Sequence, residues 1–319
     1  MKTSEQNDQV IGGLAAVGAY VLWGIMPIYW KLIHGASSEE VLAHRIIWSF
    51  VFMILVILFT KSTKKLREDF RAIFTDFKRL LIIASASVVI TVNWYTFIWA
   101  VDNDHVIQAS LGYYINPLIS VLLGVFFLKE KLSMWQIISV LLALIGVLIM
   151  TFQAGVFPWI SLTLAVSFGL YGLLKKTVHL AAMTGLTIET LIITPVALIY
   201  ILFFDSNASS SFSTAKPGLA LLLMGAGVIT AIPLLLFAAG ANRISLAMIG
   251  FFQYIAPTLM LILGTLLYHE PFDSEHLLSF ILIWVSLVLF TLSRTRWLKQ
   301  IEDKIFHKKN AENLPISKS

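Results

Sequence analysis

The chain has 319 residues, 58% of them hydrophobic and only 13% charged, with a formal net charge of +5. Soluble domains carry about 25% charged residues, so this sequence lacks the polar coat of a water-soluble fold and points to lipid as its solvent. It has no cysteine, which excludes disulfides, thiolate nucleophiles and thiolate metal sites.

The first nine residues include Glu5 and Asp8 as well as Lys2, and the run 10–30 that follows is free of charge. It is longer than the roughly 7–15 residues of a secretory leader's apolar region and suits a retained span of about 20 residues. Nine further apolar runs follow, at about 41–60, 80–101, 106–128, 132–152, 157–174, 184–204, 217–240, 246–268 and 276–293. Residues 132–174 carry no charge and are too long for one span, so a turn is expected at 153–158, where Gly155 and Pro158 punctuate the run. The runs are continuous rather than alternating, which argues for helices and against barrel strands. The connection 61–79 is polar and basic and is expected to be part helix at the membrane interface. The reading is an all-α integral membrane protein of ten transmembrane helices.

Charge supports that count. If the N-terminus is cytoplasmic, all Lys and Arg residues except Lys31, Lys216 and Arg45 fall in inside segments, as cytoplasmic loops favour basic residues. Both ends are then cytoplasmic, and residues 295–319 form a basic tail against an anionic leaflet. The positive charge needs no nucleic acid to explain it.

The stretch 112–132, GYYINPLISVLLGVFFLKEKL, recurs as FQYIAPTLMLILGTLLYHEPF at 252–272. At a fixed shift, Tyr114 matches Tyr254, Pro117 matches Pro257, Gly124 matches Gly264 and Glu130 matches Glu270. A weaker echo joins Trp23-Gly24 to Phe168-Gly169. The chain reads as two five-helix repeats, 1–153 and 154–294. Because five is odd, the second repeat is inverted relative to the first, an organisation common among secondary transporters.

The segments EEVLAHRIIWSF (39–50), NWYTFIWAVDNDHVIQASLGYYINPL (93–118), YGLLKK (171–176) and GLTIETL (185–191), with the two Pro…Gly…Glu stretches, resemble the EamA family of the drug/metabolite transporter superfamily, and within it the RarD-type permeases. The resemblance covers about 10–294. It implies a ten-helix secondary transporter of the plasma (inner) membrane that moves small organic molecules, and it does not supply the substrate.

Charged groups within a span cost roughly 2.5–3.5 kcal/mol or more, so each one calls for a reason. His44 and Arg45 read either as interface residues, Arg45 snorkelling to headgroups, or as a gate and a dock for an anionic group. Glu189 reads either as a proton-coupling carboxylate or as the partner of Lys175 or Lys176 in a structural ion pair. Asn93, Trp94, Gln108, Tyr113, Tyr114, Asn116, Tyr171, Gln253 and Tyr254 are candidate solute contacts, with interhelical hydrogen bonding as the alternative. Tyr114, Asn116, Gln253 and Tyr254 lie just before Pro117 and Pro257, which are expected to kink their helices and free carbonyls toward a cavity. Glu130 and Glu270 are expected to cap the helices that follow them.

The seven histidines form no HExxH pattern and there is no GxxxxGK[ST] loop. No catalytic group, metal or cofactor is therefore expected, and the chain does not read as an enzyme. The function read from the sequence is secondary transport by alternating access, with export favoured over uptake and a lipid-linked flippase or membrane enzyme as the other class. Its expected partners are a small organic solute, the bilayer and protons as coupling ion; a homodimer is left open.

Overall fold

Backbone in hydrocarbon must satisfy its own hydrogen bonds, and the apolar runs resolve accordingly into helices. The structure, a computed structural model, describes residues 2–30, 32–33, 35–102, 105–154, 159–178, 180–204, 212, 216–267, 277–293, 295, 298 and 300. Among these residues there is no strand, and the helices in order are α1 (Lys2–Ile25), α2 (Pro27–Trp30), α3 (Ser38–Phe59), α4 (Thr63–Thr75), α5 (Phe77–Asp102), α6 (Val106–Leu128), α7 (Met134–Ala154), α8 (Trp159–Val178), α9 (Ala182–Phe203), α10 (Pro217–Ala241), α11 (Leu246–Phe252), α12 (Ile255–Leu266) and α13 (Leu277–Leu292). Each of the ten apolar runs contains helix among its described residues. The turn expected at 153–158, the tail beyond 300, Lys31 and Glu270 lie largely or wholly outside the described residues.

Among the described residues, seven segments are long and apolar enough to cross a membrane: Asn7–Trp30, Ser38–Phe59, Phe77–Ala100, Leu111–Leu128, Met134–Gln153, Ala182–Phe203 and Pro217–Ala241. The outer surface is apolar, with Phe59, Phe126, Phe152 and Leu266 all more than two-thirds exposed. Arg45, Glu189, Asn116 and Gln253 are buried. This reversal of the water-soluble pattern identifies a multi-pass membrane protein.

Two runs differ from the expectation of single helices. The first breaks at Met26, because the residue before a proline is driven out of the helical region and Pro27 then opens α2. The ninth breaks at Gln253-Tyr254, between α11 and α12. Pro257 cannot donate to the Gln253 carbonyl, which instead accepts from the Ala256 N–H at 3.2 Å. Pro117, by contrast, lies inside an unbroken α6. The two matched prolines therefore act differently, and only Pro257 adjoins a break.

The connection 61–79 contains the expected helix, α4. Its Ile73 is buried against Ile83 and Ile188, its Asp69 accepts from the Thr184 hydroxyl at 2.6 Å, and Phe70 and Phe74 stack with centroids 4.1 Å apart.

Packing is closest between α6 and α8, α5 and α8, α3 and both α9 and α10, α1 and α10, and α7 and α13. The contact of α6 with α11 is fixed by a carboxylate. α6 ends with Lys129 in the left-handed region at φ 53°, and the Lys129 and Glu130 N–H groups both bond the Gly124 carbonyl. This tight ending swings Glu130 toward α11, where its two oxygens accept from Leu246 N–H at 2.7 Å and Ala247 N–H at 3.0 Å. Glu130 thus caps α11, not the helix after it as the sequence suggested: α7 has no acidic residue in its first turn. A Cβ on Gly124 would lie 2.7 Å from the Glu130 carboxylate, so the Gly124…Glu130 spacing is one device.

Glu130→Gln removes a charge from two orphan N–H groups and is expected to lower stability by about 1–3 kcal/mol. Gly124→Ala is expected to destabilise by displacing the same carboxylate. Thermal unfolding of the purified protein should show the double variant losing less than the sum of the singles; additive losses would separate the two residues.

Candidate functional site

Helical periodicity brings one set of aromatic residues to the centre. Tyr20, Trp23, Pro27 and Trp30 recur at spacings of three and four along α1 and α2 and so share a face. They line a cavity of about 120 Å³. From α5, Asn93, Trp94 and Phe97 face it; from α6, Tyr113 and Asn116, three residues apart. Phe168 of α8, Gln253 of the α11–α12 break and Ala256 and Met260 of α12 close the other side. A water takes roughly 10–15 Å³ of such space, so there is room for a small organic solute. Both broken runs, at Met26-Pro27 and at Gln253, open onto this cavity.

The wall is built by edge and face contacts. Trp23 meets Phe168 edge-on at 5.6 Å and lies 5.9 Å from Phe237. Asn93 donates to the Leu164 carbonyl and the Ser167 hydroxyl, both at 2.9 Å, which ties α5 to α8. The Ser120 hydroxyl donates to Gln253 Oε1 at 3.1 Å, which ties α6 to the break. The Asn116 Oδ1 atom is buried without a hydrogen-bond partner among the described residues.

Arg45 is the charged residue of the lining. It does not snorkel: it is 7% exposed. Its Nε donates to the Thr230 hydroxyl at 2.7 Å, and its guanidinium carbon lies 4.3 Å from the centre of the Trp94 ring and 5.3 Å from that of Trp30. Desolvated cation–π contacts are worth about 2 kcal/mol each, which offsets an insertion cost of roughly 2.5–3.5 kcal/mol. No carboxylate among the described residues pairs with it. His44, one residue earlier, points elsewhere. It is buried and stacks on Phe212 at 4.7 Å, and neither ring nitrogen has a hydrogen-bond partner among the described residues.

Glu189 belongs to a second cluster. Its Oε1 pairs with Lys175 Nζ at 2.8 Å and its Oε2 accepts from the Tyr171 hydroxyl at 3.1 Å. Lys175 is therefore the partner, while Lys176 turns to the Ala241 and Ile244 carbonyls at the end of α10. Tyr171 stacks on Phe237 at 5.9 Å. Glu189, Tyr171 and Trp94 also border a void of about 10 Å³. Trp94 is thus the wall between the cavity and the ion pair.

Of the sequence-derived candidates, Arg45, Asn93, Trp94, Tyr113, Asn116 and Gln253 converge on the cavity. Tyr114 and Tyr254 do not. One residue of helix turns a side chain by about 100°, so Tyr114 points away from Asn116 to pack 5.4 Å from Phe280 and 6.5 Å from Tyr254. The Gln108 side chain lies outside the described residues. Sequence reasoning missed Tyr20, Trp30, Phe97 and Met260. The three- and four-residue spacing of aromatics in 20–30 could have found the first two. Trp23 and Phe168, the weak echo in the sequence, meet at the cavity. No metal-holding group of acidic and His residues occurs among the described residues.

Comparison with known proteins agrees with a membrane transporter scaffold. The model of the EamA-like transporter family matches residues 10–152 and again 158–292. The uncharacterized transporter YojE of Bacillus subtilis is 48% identical, over 88% of this chain and 93% of that one. Protein RarD of Salmonella typhi is 43% identical, over 88% and 94%. The chloramphenicol-sensitive protein RarD of Pseudomonas aeruginosa is 30% identical, over 91% and 96%. A solved crystal structure that is 17% identical has the same fold, with a TM-score of 0.67 over 90% of this chain and 97% of that one. The chain belongs to the EamA-like transporter family, and RarD and YojE are its relatives.

Glu189→Gln leaves Lys175 buried without its counter-charge. It is expected to cost about 3 kcal/mol or more of stability, and adding Lys175→Met should restore most of it. Thermal unfolding of the two variants checks this; Glu189→Gln as stable as the parent would show the pair to be dispensable.

Proposed function

We propose that this protein is a secondary transporter, working as an exporter of small organic metabolites or drugs across the plasma membrane by alternating access. The observation that carries the reading is the central cavity, lined from both parts of the chain at the breaks in the first and ninth runs. Broken helices at a shared site are the usual construction of secondary transporters.

The mirrored organisation, residues 1–153 against 154–294, has support beyond the motif. The contact of α5 with α8 has its counterpart in α10 with α1, and that of α6 with α8 in α12 with α1. The pairs α3–α9, α6–α11 and α7–α13 map onto themselves. A Cβ on Gly24 would lie 2.7 Å from Leu259, and one on Gly169 would lie 2.8 Å from Ile119. Gly24 and Gly169 are the repeat echo, and Ile119 and Leu259 are equivalent by the motif's shift. The two family-model matches divide the chain at the same place. Two such halves rock about the cavity, with N- and C-termini in the cytoplasm.

Protons are the coupling ion in this reading, and the Lys175–Glu189 pair is the coupling site. Trp94 borders both the pair and the cavity, so a change in the pair reaches the solute through that indole as well as through the Tyr171, Phe237 and Trp23 rings.

Purified protein in liposomes is expected to move a small organic solute faster across an imposed pH gradient than without one. Silence across a broad panel of amino acids, drugs and metabolites, in both directions, would sink the transport reading. Glu189→Gln in the Lys175→Met background, which keeps the site uncharged, is expected to transport without responding to the gradient; an unaltered response would remove Glu189 from coupling.

A further inference from the structure

We propose that the cavity takes a small organic anion, a carboxylate on an apolar aromatic body, seated on Arg45. The inference rests on the transport reading, since the anion is then the cargo.

Four observations lead there. The first is an unneutralised charge. Arg45 is buried and lines the cavity, yet no carboxylate among the described residues pairs with it. The Trp30 and Trp94 rings hold the guanidinium in place, but a ring quadrupole carries no net charge and leaves the site positive. The second is geometry. Nε is committed to Thr230, and no hydrogen bond to the terminal nitrogens is found among the described residues, which leaves them for a ligand. A planar fork matches a carboxylate in two parallel hydrogen bonds, which a lone lysine could not offer.

The third observation is the rest of the wall. Trp23, Phe97 and Phe168 face the same space, and aromatic faces suit a flat apolar body at low entropic cost. The fourth is the buried Asn116 Oδ1, an acceptor without a partner among the described residues, on the same cavity. A hydroxyl or other donor on the solute would satisfy it, and an unmet buried acceptor is costly to keep. The occupant is therefore a carboxylate with an aromatic body and a donor group.

The test is equilibrium binding to the full chain in phosphatidylcholine nanodiscs, read by tryptophan fluorescence. The probes are benzoate, 4-hydroxybenzoate and 3-phenylpropionate, each against its neutral amide. The carboxylates are expected to bind about 10- to 100-fold more tightly than the amides, the worth of a hydrogen bond to a charged group. Arg45→Met is expected to erase that preference, and Arg45→Lys to keep part of it. Asn116→Leu should weaken 4-hydroxybenzoate more than benzoate.

Equal affinity for acid and amide, or no binding of any carboxylate, overturns the proposal even if Arg45→Met fails to fold, because it needs only the parent protein. An unchanged preference in a folded Arg45→Met does so too. Anionic lipid phosphate presents the same charge, so the binding is repeated with phosphatidylglycerol. Unchanged affinity assigns the site to a soluble anion, and displacement by phosphatidylglycerol assigns it to a headgroup and overturns the proposal. Carboxylate binding without flux would defeat the transport reading alone. Flux restricted to neutral or cationic solutes would defeat this inference alone.

Discussion

Hydrocarbon on the outside leaves a polar side chain one direction to turn, and the interior of this protein is arranged by that constraint. A charge inside must find either an opposite charge, a ring face or an uncapped backbone group. All three solutions occur. Glu189 meets Lys175 at 2.8 Å. Arg45 meets Trp94 and Trp30. Glu130 meets the first N–H groups of α11. The first and third are closed arrangements, with both oxygens of each carboxylate taken up. The second is not, because rings stabilise a cation without cancelling it. Of the three charges, Arg45 is the one that lines the cavity.

The Pro…Gly…Glu motif has a mechanical meaning that its recurrence alone does not convey. Gly124 makes room for the Glu130 carboxylate, Glu130 pins the start of α11, and α11 in turn lies against α6, where a Cβ on Gly250 would come within 2.8 Å of the Pro117 carbonyl. The motif is thus a clasp between α6 and α11, close to the break at Gln253-Tyr254. The clasp holds one end of the broken run while Ser120 holds the Gln253 side chain. A cavity lined by such a break needs support, since the regular i−4 ladder gives way there to i−3 bonds such as Ala256 N–H to the Gln253 carbonyl at 3.2 Å.

The aromatic layer links the cavity to the ion pair without a gap. Trp23 touches Phe168 and Phe237, and Phe237 stacks on Tyr171, whose hydroxyl donates to Glu189. Close-packed rings of this kind repack in discrete steps rather than deforming smoothly. In the alternating-access cycle proposed above, such a layer would carry a change at Glu189 to the cavity wall.

Much was legible in the amino-acid order. Ten apolar runs, the repeated Pro…Gly…Glu stretch and the helix within 61–79 follow from hydropathy and spacing, because lipid demands long apolar helices whatever their neighbours are. The pairing of Glu189 with a lysine was one of the two readings that the sequence offered. The sequence could not decide which lysine, nor that Arg45 would lie between two indoles instead of reaching for headgroups. It could not tell that Asn116 faces the cavity while Tyr114 turns to Phe280, or that Glu130 caps α11 rather than α7. Those outcomes depend on which helices meet, and in a membrane the hydrophobic pattern does not choose partners, because lipid and neighbour are equally apolar. Close contacts, caps and polar pairs make that choice, and they exist only in the assembled tertiary structure.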